Sequence, residues 1–312
     1  MYKIALIFCM AVFMTYLTPH SSEAKLVEFK PLISAVELEN ISSNQKLTLI
    51  DIRGDAYIKG HIPGSLSAPY PLWRGPSDNP GKLISVSNLN HLLSELGIVS
   101  DSYVVIIYQG KNATDFGAAA RVYWTLKSAG INNLAILNGG INSWLESGLD
   151  VTTDLENIVT SNIEVSFKNT WLSQREDIKA IVSGSEEAVL LDARPKAFYE
   201  GEKQHPAAAG PGTLPDAVIY PHDSWFISGS NKIVNPDEAT RLYNDSGINL
   251  NNTNLVSFCN TGHWAATNWF VFSELINIDG VKLYPESMVG WSHAGLEMMN
   301  EPGFWDKVKD AF

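Results

Sequence analysis

The chain has 312 residues, a formal net charge of −12, 45% hydrophobic residues and 18% charged ones. That balance is ordinary for a folded protein of about two domains, and it excludes a nucleic-acid-binding surface, which needs a basic stripe. Two cysteines, Cys9 and Cys259, exclude a disulfide-stapled scaffold, and with scattered histidines they offer no metal-ligand spacing.

Residues 1–24 read as a secretory signal peptide. Lys3 is the positive start, Ile4–Leu17 is an apolar stretch, and Ser22-Glu23-Ala24 places small residues before the cut at Lys25. The stretch is shorter than the ~20 residues that cross a bilayer. A periplasmic or secreted protein that leaves no membrane anchor behind is expected. The mature chain then keeps one cysteine and has no internal disulfide.

From Leu49 onward the elements come in pairs. Leu49-Ile50-Asp51-Ile52-Arg53 is echoed by Leu190-Leu191-Asp192-Ala193-Arg194, an apolar strand ending in Asp-x-Arg. Tyr57 and Gly60 follow the first, Tyr199 and Gly201 the second. Gly60–Ser65 has a weaker echo in Gly212–Ala217. A second strand, Val104–Tyr108, is matched by Leu255–Phe258. Helices follow at Ala118–Ala129 and Ala265–Leu275, and a third strand leads to Trp144-x-x-x-Gly148 or Trp291-x-x-x-Gly295. Short apolar strands alternating with helices predict an α/β fold: two tandem domains, each a mostly parallel sheet flanked by helices. The domains are expected at 25–153 and 161–312, with the boundary in the polar stretch Thr152–Ser161, where apolar periodicity lapses.

The second repeat ends its second strand in Cys259, which opens CNTGHWAATNWFVFSEL (Cys259–Leu275): a six-residue loop and then a helix. A strand-to-helix loop aims backbone N–H groups and the helix N-terminal charge into its bowl. A thiol there is stabilised as the thiolate, the nucleophilic form. A buried core cysteine is the plain alternative. Both Asp-x-Arg sites and Cys259 fall at carboxyl ends of strands, the binding edge of such sheets.

The order of these motifs, from about Val27 to Leu296, resembles the rhodanese family, specifically the tandem-domain thiosulfate and 3-mercaptopyruvate sulfurtransferases. The resemblance rests on Leu49–Ser65, Arg121–Leu126, Leu137–Leu149 and Cys259–Trp264. It implies that Cys259 carries a sulfane sulfur as a persulfide. The donor would be thiosulfate or 3-mercaptopyruvate, and the acceptor cyanide, a thiol or a protein thiol, with no cofactor. It also implies that the amides of Asn260, Thr261, Gly262, His263, Trp264 and Ala265 hold the thiolate, and that the first domain, with Tyr108-Gln109 in place of the cysteine and a longer insertion, Gly110–Asp115, before its helix, is catalytically silent. The chain departs from the family at Asn260 and Thr261, where basic residues or a Gly-Ser pair are usual. It departs again near Phe198, where an anion-binding arginine is missing, and Lys196 is a candidate substitute. His263 and Trp264 replace a Val-Thr pair, and Gly201–Gly212 is an insertion placed to cover the site.

His263 reads either as a base or cationic partner for the thiolate, or as a rim residue. Arg194, beside Asp192, reads either as a tie at its strand end or as a substrate contact. A phosphatase needs an arginine closing the cysteine loop, and none occurs after Cys259. A non-catalytic sulfur-carrying or partner-binding module is the remaining alternative.

Overall fold

The computed structural model describes residues 29–42, 47–249 and 254–302; the signal-peptide expectation lies outside them. The first half runs β1 (Leu32–Ile33), α1 (Ala35–Ile41), β2 (Leu47–Asp51), β3 (Ser65–Ser67), α2 (Val86–Glu95), β4 (Tyr103–Ile107), α3 (Ala113–Ser128), β5 (Asn133–Leu137) and α4 (Gly140–Glu146). The second runs α5 (Arg175–Val182), β6 (Ala188–Asp192), α6 (Lys196–Tyr199), β7 (Val218–Ile219), α7 (Pro236–Asp245), β8 (Asn254–Phe258), α8 (Trp264–Phe270), β9 (Val281–Leu283) and α9 (Ser287–His293).

The strands form two sheets, ordered β1-β5-β4-β2-β3 and β7-β6-β8-β9. Every pairing between them is parallel. Apart from β1 the two orders coincide, so the sequence repeat is a repeat of topology. Such strands are buried on both faces, which accounts for their unbroken Val/Ile/Leu runs. Along β4, Val104 and Ile106 join one core while Val105 and Ile107 join another, as a two-residue period requires.

The first core continues across the junction of the halves. There α3 packs on α8, with Tyr123 5.1 Å and Phe116 5.7 Å from the Phe270 ring. Tyr123 also donates to Glu274 at 2.7 Å, and Lys127 pairs with the same carboxylate at 2.7 Å. Asn138 and Ile233 exchange two hydrogen bonds, at 3.1 and 3.0 Å. No helix of the described residues is long and apolar enough to cross a membrane.

Two helix limits differ from the sequence reading. α3 starts at Ala113 rather than Ala118, because Asn112 caps it by accepting from the Asp115 amide at 2.9 Å. The stretch read as a longer insertion is therefore partly the first helical turn. α8 starts at Trp264 and gives way at Val271–Leu275 to a wider π-type turn.

Candidate active site

Cys259 follows β8 directly, held at its strand end by Ala193 N–H donating to Phe258 O at 2.9 Å. The next residues bend sharply, and Gly262 sits at φ +65°. A Cβ there would fall 2.3 Å from an Arg121 nitrogen and 2.8 Å from Pro285 Cα, so the position admits only glycine.

The loop is anchored by its carbonyls. Met288 N–H donates to Cys259 O at 3.1 Å and Val289 N–H to Asn260 O at 3.0 Å. Arg74 Nη2 donates to Thr261 O at 2.8 Å and Arg121 Nη1 to Gly262 O at 3.2 Å. Four successive carbonyls thus engage the surrounding elements. Of the amides expected to face the sulfur, that of Gly262 turns instead to Ser287, as does the amide of Cys259 itself. Ser287 Oγ accepts from Cys259 N–H at 3.0 Å and Gly262 N–H at 3.1 Å, while donating to Tyr284 O at 2.8 Å.

The positive charge comes from the first half. Arg121 is 1% exposed, and burial, then the Arg74 charge, bring it down to about 9, which leaves it a cation at neutral pH. Its Cζ lies 4.9 Å from the Trp124 ring, and Nη2 donates to Gly81 O at 3.0 Å. Arg74 Cζ lies 5.3 Å from the Tyr70 ring. Neither guanidinium has a carboxylate partner among the described residues, and both retain a buried nitrogen without an acceptor, Nη1 in Arg74 and Nε in Arg121.

His263 spans the junction. Its Nε2 is 2.7 Å from Thr114 O, so that nitrogen carries the proton, and Tyr70 donates its hydroxyl to Nδ1 at 2.7 Å. Burial, then Arg74, push its pKa down to about 3. Both ring nitrogens are engaged within the protein and the ring is held neutral, which speaks against a cationic partner for the thiolate. Trp264 donates to Thr114 Oγ1 at 3.1 Å and stacks on His222 at 4.9 Å, with Phe198 edge-on at 5.8 Å.

Arg194 is 2% exposed and fully engaged. It donates to Asp192 (2.9 and 2.6 Å), Gly212 O (2.8 Å) and Asn260 Oδ1 (3.3 Å). It braces the strand end and turns the Asn260 side chain toward itself, and Thr213 completes the Asp192 carboxylate at 2.8 Å. Lys196 does not join the site: its ammonium is exposed and paired with Glu200, one helical turn on. The insertion Gly201–Gly212 reaches the site at its end, where Gly212 O accepts from Arg194. The stretch is tied to α9 by Ala209 N–H to Ser292 Oγ at 3.0 Å.

The matching loop of the first half is occupied from within. Asp115 Oδ2 accepts from Gly110 N–H at 2.7 Å and Lys111 N–H at 3.0 Å. Tyr108, in the cysteine's place, has its hydroxyl against Gly139 N–H at 3.2 Å. Sequence reasoning missed Tyr70, Arg74, Thr114 and Ser287 as site residues, and noted Arg121 only as part of a helix motif.

A family model described as the rhodanese-like domain matches residues 34–147. A putative thiosulfate sulfurtransferase of Synechococcus elongatus is 26% identical, over 92% of this chain and 90% of its own length. The sulfur carrier protein TtuD of Thermus thermophilus is 27% identical, over 84% and 93%. Among solved structures, SseA from Escherichia coli, described with the rhodanese fold and mechanism of 3-mercaptopyruvate sulfotransferases, superposes with a TM-score of 0.72 at 20% identity, over 83% of this chain and 98% of that one.

Two parallel sheets of one topology, one of them bearing a cysteine on a strand-to-helix loop, define a tandem rhodanese-type protein. Residues 34–147 match the rhodanese-like domain, and along most of its length the chain is similar to proteins named as putative thiosulfate sulfurtransferases, which supports a sulfurtransferase at family level.

Proposed function

We propose that the protein transfers sulfane sulfur through a persulfide on Cys259. The observation that carries the reading is the anchoring of the Cys259–Gly262 carbonyls by the surrounding elements. That arrangement offers amide donors and the α8 N-terminus to a sulfur anion. With thiosulfate, the thiolate attacks the outer sulfur, the donor S–S bond breaks, and sulfite leaves with the bonding pair. An acceptor thiolate or cyanide then takes the outer sulfur from Cys259, whose thiolate is the leaving group. 3-Mercaptopyruvate would donate the same sulfur and leave pyruvate after protonation of its carbon.

Arg74 and Arg121 supply the positive field that neutral Asn260 and Thr261 lack, and they favour an anionic donor. The first half acts as a silent wall, its own loop taken up by Asp115. Intact mass spectrometry after incubation with thiosulfate, and separately with 3-mercaptopyruvate, tests the reading. A gain of one sulfur atom is expected, absent in Cys259→Ser. Substantial sulfur transfer by Cys259→Ser would sink it.

A sulfur-carrier role is the second reading, favoured by the burial of Cys259, 1% exposed, and by the carrier named among the relatives. Steady turnover with a small thiol acceptor separates the two. A periplasmic or secreted site of action is proposed from residues 1–24, and a mature N-terminus at Lys25, give or take a few residues, is the expected readout.

A further inference from the structure

A cavity of about 470 Å³ lies on the side of the cysteine loop formed by Tyr284–Glu286, lined also by Lys82, Leu83, Phe167, Leu172 and the start of α5. None of its residues belongs to the Cys259–Ala265 loop. The volume falls in the range of small-ligand sites, ~300–1,000 Å³.

Its polar groups favour an anion. Tyr284 is 0% exposed, and burial first raises its phenol well above the ordinary value, so it stays protonated. The phenol oxygen faces the Arg175 guanidinium, while its hydrogen has no acceptor. A buried donor left unmatched costs about 1–3 kcal/mol, and natural proteins rarely leave one without a reason. Arg175 Nε has no acceptor apart from the Tyr284 phenol oxygen it faces. Lys82 lines the cavity with no carboxylate partner among the described residues, while the start of α5 at the wall is already capped by Asp177, which accepts from the Gln174 amide at 2.7 Å. The two carboxylates present are engaged, Glu286 with Arg175 and Glu176 with Lys179 at 2.8 Å. Leu83, Phe167, Leu172 and Pro285 form the apolar remainder, far more than an inorganic oxyanion would fill.

The same wall holds the cysteine loop. Pro285 lies against Gly262 and Gly81. Two residues on, Ser287 carries the hydroxyl that accepts from the Cys259 and Gly262 amides, on a left-handed backbone at φ +51°. A non-glycine residue held there stores strain, as switchable sites do.

We propose that this cavity binds a small organic carboxylate with an apolar body, and that the bound ligand steadies the Tyr284–Ser287 segment and, through Ser287, the cysteine loop. The site goes beyond the sulfur-transfer reading and stands whether or not that reading does.

The test is calorimetric titration of the full chain with 3-phenylpropionate, its neutral amide and sulfate. Saturable binding of the carboxylate alone is expected, weakened about tenfold by Tyr284→Phe and by Lys82→Ala, the loss that one hydrogen bond to a charged group predicts. No saturation at millimolar concentration, equal binding of sulfate or of the amide, or unchanged affinity in both variants would overturn the site.

A second readout is alkylation of Cys259 by iodoacetamide, followed on its peptide by mass spectrometry. A thiol 1% exposed reacts only after local opening. Ligand at about ten times its Kd should slow that opening roughly tenfold in the wild type, and much less in Tyr284→Phe at the same concentration. An unchanged alkylation rate would overturn the coupling. Neither readout involves sulfur transfer, so its failure is distinguishable from that of the proposed activity.

Discussion

Arg74 of the first half donates from Nη2 to the carbonyl oxygen of Thr261, two residues past Cys259, at 2.8 Å. A guanidinium from one half thereby holds the Cys259 loop in the other. No carboxylate neutralises it among the described residues, and one of its nitrogens is buried without an acceptor, a condition an incoming anion relieves.

Arg74→Ala is expected to raise the KM for thiosulfate about tenfold, the equivalent of ~1.4 kcal/mol, with a smaller change in kcat. Arg74→Lys should recover part of the loss, since an ammonium keeps the charge but not the planar fork. Steady-state kinetics of the three proteins decide it. An unchanged KM in Arg74→Ala would remove Arg74 from donor binding.

Ser287→Ala removes the acceptor of two buried amides, at Cys259 and Gly262. Each orphaned N–H costs about 1–3 kcal/mol unless water enters. The variant should lose stability in urea unfolding and form the persulfide more slowly, while Ser287→Thr retains more of both. A fully stable Ser287→Ala would show that these two bonds carry little.

His263 gives a pH prediction. Its pKa is lowered to about 3 from 6.5 by burial, then by Arg74. Between those values the unfolded chain binds a proton that the native chain refuses, so stability falls as pH drops through this window and is full above it. His222, lowered chiefly by burial, acts in the same direction. His263→Gln should flatten the fall of stability with acid in urea titrations between pH 6.5 and 4. An equally steep fall would place the titrating group elsewhere.

Gln109 stands beside Tyr108 in the first half, its amide donating to Asn142 Oδ1 at 2.9 Å. Gln109→Ala should leave sulfur transfer within about twofold of wild type. A loss approaching that of Cys259→Ser, without unfolding, would mean the first half takes a direct part in the chemistry.

Much of this was legible in the sequence because it is local. An apolar run ending in Asp-x-Arg is a strand whose arginine folds back two residues, and Asp51–Arg53 and Asp192–Arg194 do so alike. Cys259 announced itself by a strand before it and a helix after it. Arg74, Tyr70 and Thr114 carried no such signal, since each meets the loop only once α3 and α8 have packed. The Asn112 cap was a readable sign, three residues before Asp115, but the stretch passed for an insertion because its polar residues break the apolar period. Nothing in the spacing of Ser287 marks it as the acceptor for amides on another element.

The dependence of the Cys259 loop on side chains from the other half has a further consequence. In a half-docked chain that residue would keep its bonds to Ser287 and Met288 but lack the contacts its loop makes to the other half. Its full environment forms only when Arg74, Arg121, Tyr70 and Thr114 arrive. Its rate of reaction with a thiol reagent is therefore a gauge of assembly: the fraction of slow-reacting Cys259 counts, molecule by molecule, how much of a preparation has its halves seated.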